Sequence, residues 1–530
     1  MKDPASIFND VIGPVMIGPS SSHTAASVRI GNLVRQMTGG RPRRVVFEFA
    51  AGSSIAETYH SQGADFGLAG GILGFDTADP RIVDALELAK HAGIEIEFKI
   101  ADFKTDHPNV FRVAAIDENE RQIEAEFISC GGGMIEIRQM AGIPVSINGG
   151  FYETLLLFGS CAQDIVNACR DYIKANSKSC DDLLIFHSDR SEYILDCRGQ
   201  SEMPAEFLRL LVKNFPVKAA ITLSPVLPVK SQKEYLGLFN TASEILEIAE
   251  HDRLSLADIA IRYETRRSGL NETEVFGKMA EIVAVLKKTI KDAASAQQEY
   301  PDRILGRQAR LLPETGVVTG GVLHSVIRHI TLLMEAKSSM RTIVAAPTAG
   351  SCGTLPGTLI GAAEALGLSE DAVVKAMLAA GMVGVLIAEH STFSGEVGGC
   401  QAECGSASGM AAAGMVQLLG GTAEQALDAA SMALQNVFGL TCDPVAGRVE
   451  VPCLGKNIMA GSNALAMAEL ALAGFDKVIP LDETIEAMYR VGLSLPAELR
   501  CTGKGGLSIT PTSQRIQKSL EDSQARHIDK

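Results

Sequence analysis

The sequence predicts a multidomain α+β protein with three units. These are an N-terminal α/β unit over residues 1–147, a small β-α-β-β-α-β unit over 148–226, and an all-helical unit over 238–520. Three observations carry that prediction. Alternating, β-rich segments are confined to the chain before residue 224. From residue 240 onward apolar residues recur at helical spacing instead. The third observation is glycine: 51 of the 530 residues, many in alanine-rich runs beyond Gly320, which suits closely packed helices. A chain of this length holds about two to four domains with ample surface to bury.

In the first unit, residues 44–49 and 94–100 are β-rich and 80–92 have helical periodicity. Residues 109–116 and 122–129 read as strands that close at the turn Cys130-Gly-Gly-Gly133. In the second unit, strand 151–158 precedes helix 162–175. Strands 183–187 and 192–196 flank the turn Ser188-Asp189-Arg190-Ser191, and helix 204–214 precedes strand 218–223. That order is the ferredoxin-like pattern. A Pro-containing connector, 224–233, follows. Helices are predicted over 240–251, 255–263 and 272–296, with a polar break at 298–301. Beyond Gly320, Ala- and Gly-rich helices alternate with loops, and the tail after Pro511 reads as one surface helix.

Composition excludes several classes. The net charge of −15 argues against a nucleic-acid partner, which would show a basic face. The first residues, Met-Lys-Asp-Pro-Ala-Ser-Ile-Phe, hold no apolar signal core. The apolar run 376–388 is too short and too rich in Gly and Ala to span a bilayer, so no membrane partner is expected. Eleven cysteines without a secretory signal read as reduced thiols in a cytoplasm.

Two constellations point to chemistry. Cys400, Cys442 and Cys453 sit in small-residue loops, Gly-Gly-Cys400-Gln-Ala-Glu-Cys404-Gly, Cys442-Asp-Pro-Val-Ala-Gly and Val-Glu-Val-Pro-Cys453. Short neighbours let backbone approach a bulky inorganic group, and three thiolates hold a cubane cluster with one metal left open as a Lewis acid. The second is Gly18-Pro19-Ser20-Ser21-Ser22-His23-Thr24 ahead of a helix. Its hydroxyls and N–H groups suit a carboxylate or phosphate, and His23 an acid or base. Taken alone, the same segment is also an ordinary Ser-rich helix cap with a structural histidine.

Together with Ala345-Ala346-Pro347-Thr348-Ala349-Gly350 and Thr502-Gly503-Lys504-Gly505-Gly506-Leu507, these motifs closely resemble the iron–sulfur-dependent L-serine dehydratases over nearly the whole chain. The resemblance implies a β domain carrying the serine loop, an inserted ACT-like domain at 148–226, and a helical α domain carrying a [4Fe–4S] cluster on Cys400, Cys442 and Cys453. It also implies deamination of a small β-hydroxy amino acid, L-serine first, without pyridoxal phosphate. Ser20, Ser21, Ser22 and Thr24 would bind substrate, with Thr348 and Ser351 from the α domain. A homodimer is the family-level expectation. The C-terminal cysteine that caps the cluster in some relatives has no counterpart in the final His-Ile-Asp-Lys.

The chain departs from the family at several positions. In Thr58-Tyr59-His60-Ser61-Gln62-Gly63-Ala64-Asp65 the expected histidine is Gln62, and His60 lies two residues away, about 200° around a helix axis. His390 replaces a common Asn, and Arg448 stands where an apolar residue is usual. Base candidates are therefore His23, His60 and His390, and Arg448 is a candidate contact for a substrate with an extra anionic group. Loss of the base leaves a second class open, a cluster-bearing sensor without catalysis. Cys352, Cys404 and Cys501 lie in family motifs where cysteine is not typical, and each reads first as a small buried thiol.

Overall fold

Buried and exposed side chains alternate along Pro42–Ala50 and Val110–Asp117, the pattern of half-buried strands. The structure is a computed structural model that describes residues 4–177, 179–230, 238–297 and 303–528, with side chains to residue 522. These strands belong to a six-stranded sheet in the order Glu95–Ala101, Pro42–Ala50, Val110–Asp117, Gln122–Gly131, Met134–Met140, Ile143–Ile147. The first pair is parallel and the others antiparallel.

Phe47, Phe49, Phe111 and Phe127 form the sheet's apolar face and meet Ile30, Leu33 and Leu68 of helices Ala26–Met37 and Ala64–Ile72. The two helices touch through glycine. A Cβ on Gly71 would lie 2.1 Å from the Val28 carbonyl oxygen, and one on Gly31 would lie 2.4 Å from that of Leu68. This approach fixes the direction of Ala26–Met37, the helix that leaves the serine loop. Ala64–Ile72 gives no amphipathic signal in the sequence because every residue but Phe66 is buried. The predicted helix 80–92 is a 3₁₀ turn, Pro80–Asp84, continued by Ala85–His91.

The second unit has the β-α-β-β-α-β order: Tyr152–Phe158, Gln163–Asn176, Asp182–His187, Tyr193–Gly199, Ala205–Asn214, Val217–Leu223. Its four strands are antiparallel, with Tyr152–Phe158 and Tyr193–Gly199 central. Period-2 alternation divides the strand residues between two partners. Leu156, Phe158 and Leu195 pack on the unit's own helices, while Leu155, Ile194 and Leu223 join the core of the six-stranded unit. One expectation is corrected here. Cys180 and Cys197 form a disulfide, so not all eleven cysteines are reduced; the other nine are free. Cys180 lies just before Asp182–His187 and Cys197 pairs with Leu183 in the ladder, which brings the Cα atoms to 5.6 Å, within bonding range.

Beyond Ala242 the described chain is helical apart from the three-residue strand Thr342–Val344. Glu370–His390 runs through its core, longer than the apolar run read from the sequence. It is long and apolar enough to cross a membrane, but 78% of its most apolar window is buried within the protein. The predicted break at 298–301 and the end of the connector, 231–233, lie outside the described residues. Pro511–Ile528 is one helix, as expected.

The N-terminal segment joins the two halves. Ile7, Phe8, Val11 and Ile12 are buried in the helical core, and Val15–Ile17 pairs antiparallel with Thr342–Val344. Buried Glu264 holds this segment by accepting from Ser6 Oγ and the Ile7 N–H, both at 2.9 Å, and it pairs with buried Arg267 at 3.3 Å. Glu264→Ala removes the carboxylate that faces the Arg267 charge and strands both donors, so it should cost about 3–5 kcal/mol. The check is the urea midpoint, with Glu264→Gln, which keeps one acceptor, losing less.

Candidate active site

The segment that follows Val15–Ile17 turns through Ser20 into a single π turn, Ser21–Ala25, and then into helix Ala26–Met37. Such i→i+5 turns inside helices recur at functional sites, and Ile7–Val11 and Gln401–Gly405 are two more here. The serine-loop turn buries His23 completely. Ser20 Oγ and Ser22 Oγ each lie 3.1 Å from His23 Nδ1, and Thr58 Oγ1 lies 2.8 Å from Nε2. The Thr58 hydroxyl proton is committed to the Ser54 carbonyl at 2.7 Å, so Thr58 accepts from Nε2–H. Nδ1 is therefore the lone-pair nitrogen of the neutral ring. The Ser22 proton goes to Glu396 Oε1 at 2.9 Å, which leaves the Ser20 hydroxyl to donate to Nδ1.

Electrostatics agree with that assignment. Burial pushes the His23 pKa below its ordinary value, against the pull of Glu396. Burial also opposes the Glu396 charge, yet His23 and the hydroxyls of Ser394 and Ser22 hold that carboxylate below its usual range. Glu396 comes from Gly395–Gly398, so the pair bridges the two halves.

Ser20, Ser21 and Ser22 line one narrow cavity with Gln62, Glu396, Glu403, Cys442, Cys453 and Cys501. Ser21 Oγ accepts the Ala349 N–H at 3.2 Å, a second tie across the seam. Cys400, Cys404, Cys442 and Cys501 form a buried sulfur cluster beside it. Burial raises the Cys453 thiol to about 12. The Cys442 thiol is raised first by its hydrogen bond with Cys501 and then by burial. Two ammonium groups stand near these thiols, Lys337 fully buried and Lys456 half-buried. Lys337 donates to the Val449 carbonyl, and Lys456 is bonded to Asp443 at 2.9 Å.

Buried thiols beside such cations favour thiolate once a metal takes the sulfur. Among the described residues no three His, Cys, Asp or Glu side chains converge on one ion. Cys442 and Cys453 on the cavity wall, with Cys400 in the adjoining thiol group, supply three soft sulfur donors of the kind an iron–sulfur cluster takes. The donor set fits an iron–sulfur cluster.

Several predicted residues stand elsewhere. His60 is half-exposed, with Nδ1 bonded to Asp65 at 2.5 Å, while Gln62 faces the cavity. The short helix Ser54–Thr58 and its following turn send the two side chains in different directions. His390 ends its helix in an exposed position, with Nε2 at 2.6 Å from the Asn240 carbonyl. Thr24 donates to the Gln62 carbonyl at 2.8 Å and Arg448 to that of Ser61 at 2.8 Å. Both tie the 58–65 segment and are not part of the cavity wall. Ser351 is buried against the Ala346 and Thr348 carbonyls. Cys352 packs on Met334, away from the cavity.

Sequence reasoning missed two residues of the site, and the triplet His107-Pro108-Asn109 holds a further buried polar group. Glu396 partners His23. Glu403 accepts from Thr348 Oγ1 at 2.8 Å and is pushed up to about 7, first by burial and then by Glu396. Its carboxylate fits between Gly350 and Gly395, where a Cβ on either would come within 2.6 Å of it. Asn109 is fully buried, and neither amide atom has a hydrogen-bond partner in the structure. The signals available were the run Gln401-Ala402-Glu403 and the triplet His107-Pro108-Asn109.

Residues 251–508 match the family model described as serine dehydratase alpha chain. The chain is 37% identical over 287 residues to "L-serine dehydratase, alpha chain" of Peptoniphilus asaccharolyticus, covering 53% of this chain and 98% of that one. It is 36% identical over 286 residues to "Probable L-serine dehydratase, alpha chain" of Bacillus subtilis (strain 168), covering 53% and 95%. A separate match is to "Probable L-serine dehydratase, beta chain" of the same organism, 43% identical over 161 residues and covering 30% and 71%. The chain belongs to the L-serine dehydratase family, with regions similar to both the alpha and the beta chains in one polypeptide.

Proposed function

We propose that this protein dehydrates and deaminates L-serine to pyruvate and ammonia at the seam between its two halves, with a [4Fe–4S] cluster on Cys400, Cys442 and Cys453. The observation that carries the reading is the shared cavity: the serine loop forms one wall and Cys442 and Cys453 the other. An iron–sulfur cluster there would supply a Lewis acid for the β-hydroxyl, a poor leaving group by itself.

The chain's own groups would do the rest. Ser20, Ser21 and Ser22 present hydroxyls to the substrate carboxylate. The proton on the α-carbon passes to the Ser20 oxygen as the Ser20 proton moves to His23 Nδ1, so His23 acts as base through Ser20. Thr58 holds the ring in the tautomer that leaves Nδ1 free, and Glu396 stabilises the imidazolium that forms. Serine is favoured over a more anionic substrate because, among the described residues, the cavity lining includes no Lys or Arg.

The same reading divides the chain into a serine-dehydratase-like β domain at 1–147, an ACT-like ferredoxin-fold domain at 148–226 and a helical α domain at 238–520. It places a homodimer in the cytoplasm without pyridoxal phosphate. The β-α-β-β-α-β order of the middle unit supports the ACT-like assignment.

Anaerobically reconstituted protein should release pyruvate from L-serine. Fully loaded protein that releases none would point to the sensor reading. Cys442→Ser and Cys453→Ser should lose bound iron and acid-labile sulfide, whereas Cys352→Ser keeps both, measured per chain by chemical assay. Ser20→Ala should lower kcat by about 10²–10⁴.

The pH dependence follows from His23. Its pKa lies below the ordinary 6.5, so the base is neutral through neutrality and activity falls only as pH drops through that lowered value. Glu396→Gln removes the pull that raises it, so the acid limb of kcat/KM should move to still lower pH. A limb that moves upward would contradict the assignment.

A further inference from the structure

A larger cavity, about 590 Å³, lies apart from the serine loop and thiols, with no lining residue in common. Its floor is the helix Ala26–Met37, which presents Arg29, Asn32 and Gln36 at i, i+3 and i+7, one face of the helix. The connector 225–229 forms one wall, and Lys278, Ile282 and Val285 of the helix Glu272–Ser295 form the opposite one. The volume is that of a small-molecule site.

The walls are held by paired side-chain bonds. The Gln36 amide accepts from the Ser224 N–H at 2.6 Å and donates to the Ser224 carbonyl at 3.4 Å. Asn9 does the same for Val229 at 3.0 and 2.6 Å. Asn32 donates to the Phe75 carbonyl at 2.7 Å. Both ends of the connector are therefore pinned, and the space between does not depend on a loose loop.

Arg29 is the unusual member. It is 2% exposed, its one strong bond is to the Gly133 carbonyl at 2.5 Å, and Nε has no hydrogen-bond partner in the structure. A buried guanidinium with a spare donor is costly unless an anion meets it. Burial lowers its pKa to about 10, with Asp10 acting the other way. Around it the lining is mainly apolar, including Phe8, Ile12, Val226 and Leu227, and the two acids that also line the cavity, Asp76 and Glu281, are exposed.

We propose that this cavity is a second ligand site, for a small monocarboxylate with a branched or aromatic apolar body, whose carboxylate is met by Arg29 and Lys278. Because Arg29 stands six residues after His23 on the helix that the serine loop opens, an occupant would bear directly on the catalytic loop.

The test is calorimetric titration of the full chain with 4-methylvalerate, 3-phenylpropionate, L-leucine and L-phenylalanine singly, with isoamylamine as the carboxylate-free control. At least one acid should bind 1:1 at millimolar concentration or below, and the amine should not. Arg29→Met and Lys278→Met should each weaken binding tenfold or more. Ile282→Trp, which fills the cavity and removes no charge, should abolish it, while Cys442→Ser leaves it unchanged. Ile282→Trp keeps the test open if Arg29→Met does not fold. Absence of saturable binding by all four acids overturns the proposal, as does binding that Ile282→Trp leaves intact. The readout is independent of turnover, so failure here leaves the serine reading standing.

Discussion

The structure depends on the crossing of the N-terminal segment into the helical half. Val15–Ile17 pairs with Thr342–Val344, and the flanking backbone continues the tie. The Gly13 N–H donates to the Ala345 carbonyl at 2.9 Å and the Ala345 N–H to the Pro14 carbonyl at 3.1 Å. Each of these short strands leads into a functional loop, one to Ser20–His23 and the other to Thr348–Ser351. The strand pair therefore sets which hydroxyls face which acids. Glu264, deep in the helical half, holds the start of that segment and so acts on the site without touching it.

Acids, thiols and ammonium groups are gathered at the seam. Glu396 and Glu403 lie close enough for one to raise the other. Lys337 and Lys456 stand behind the sulfur atoms, and the thiols are too strongly raised to ionise alone. Binding of a cationic inorganic core would convert thiols to thiolates and satisfy the lysines together. Metal loading, domain contact and the ionisation of Glu403 would then be linked equilibria.

The cysteine loops and the serine loop were legible in the sequence because small residues and hydroxyls cluster there in short runs. The four-stranded unit was legible too, because its short apolar strands and its two amphipathic helices follow one another in a recognisable order. What was hidden has identifiable causes. Ala64–Ile72 is buried on nearly every side and shows no period. Glu396 becomes an acid of the site only when a helix end of one half meets the Ser22 hydroxyl of the other, and Glu403 only when the helical half folds Thr348 against it. The Cys180–Cys197 bond depends on ladder register, which composition does not reveal. His60 and His390 carry the right chemistry, but the turn after Thr58 and the exposed end of Glu370–His390 aim them elsewhere.

Gln62 was the strongest sequence argument against catalysis, and the geometry weakens it. Glutamine at this position faces the cavity with an amide that cannot take a proton, so a base must come from another element. His23 meets the three requirements of one. Its ring is neutral because it is buried, its tautomer is fixed by a threonine whose own proton is spoken for, and its lone pair meets a hydroxyl that lines the cavity. A histidine at 62 would have approached the substrate directly. On the proposed route the proton would travel one hydroxyl further, and Gln62 has a different neighbour, the Cys501 sulfur at 3.9 Å. On the proposed route, the loss of the expected histidine changes the path of the proton and does not remove its acceptor.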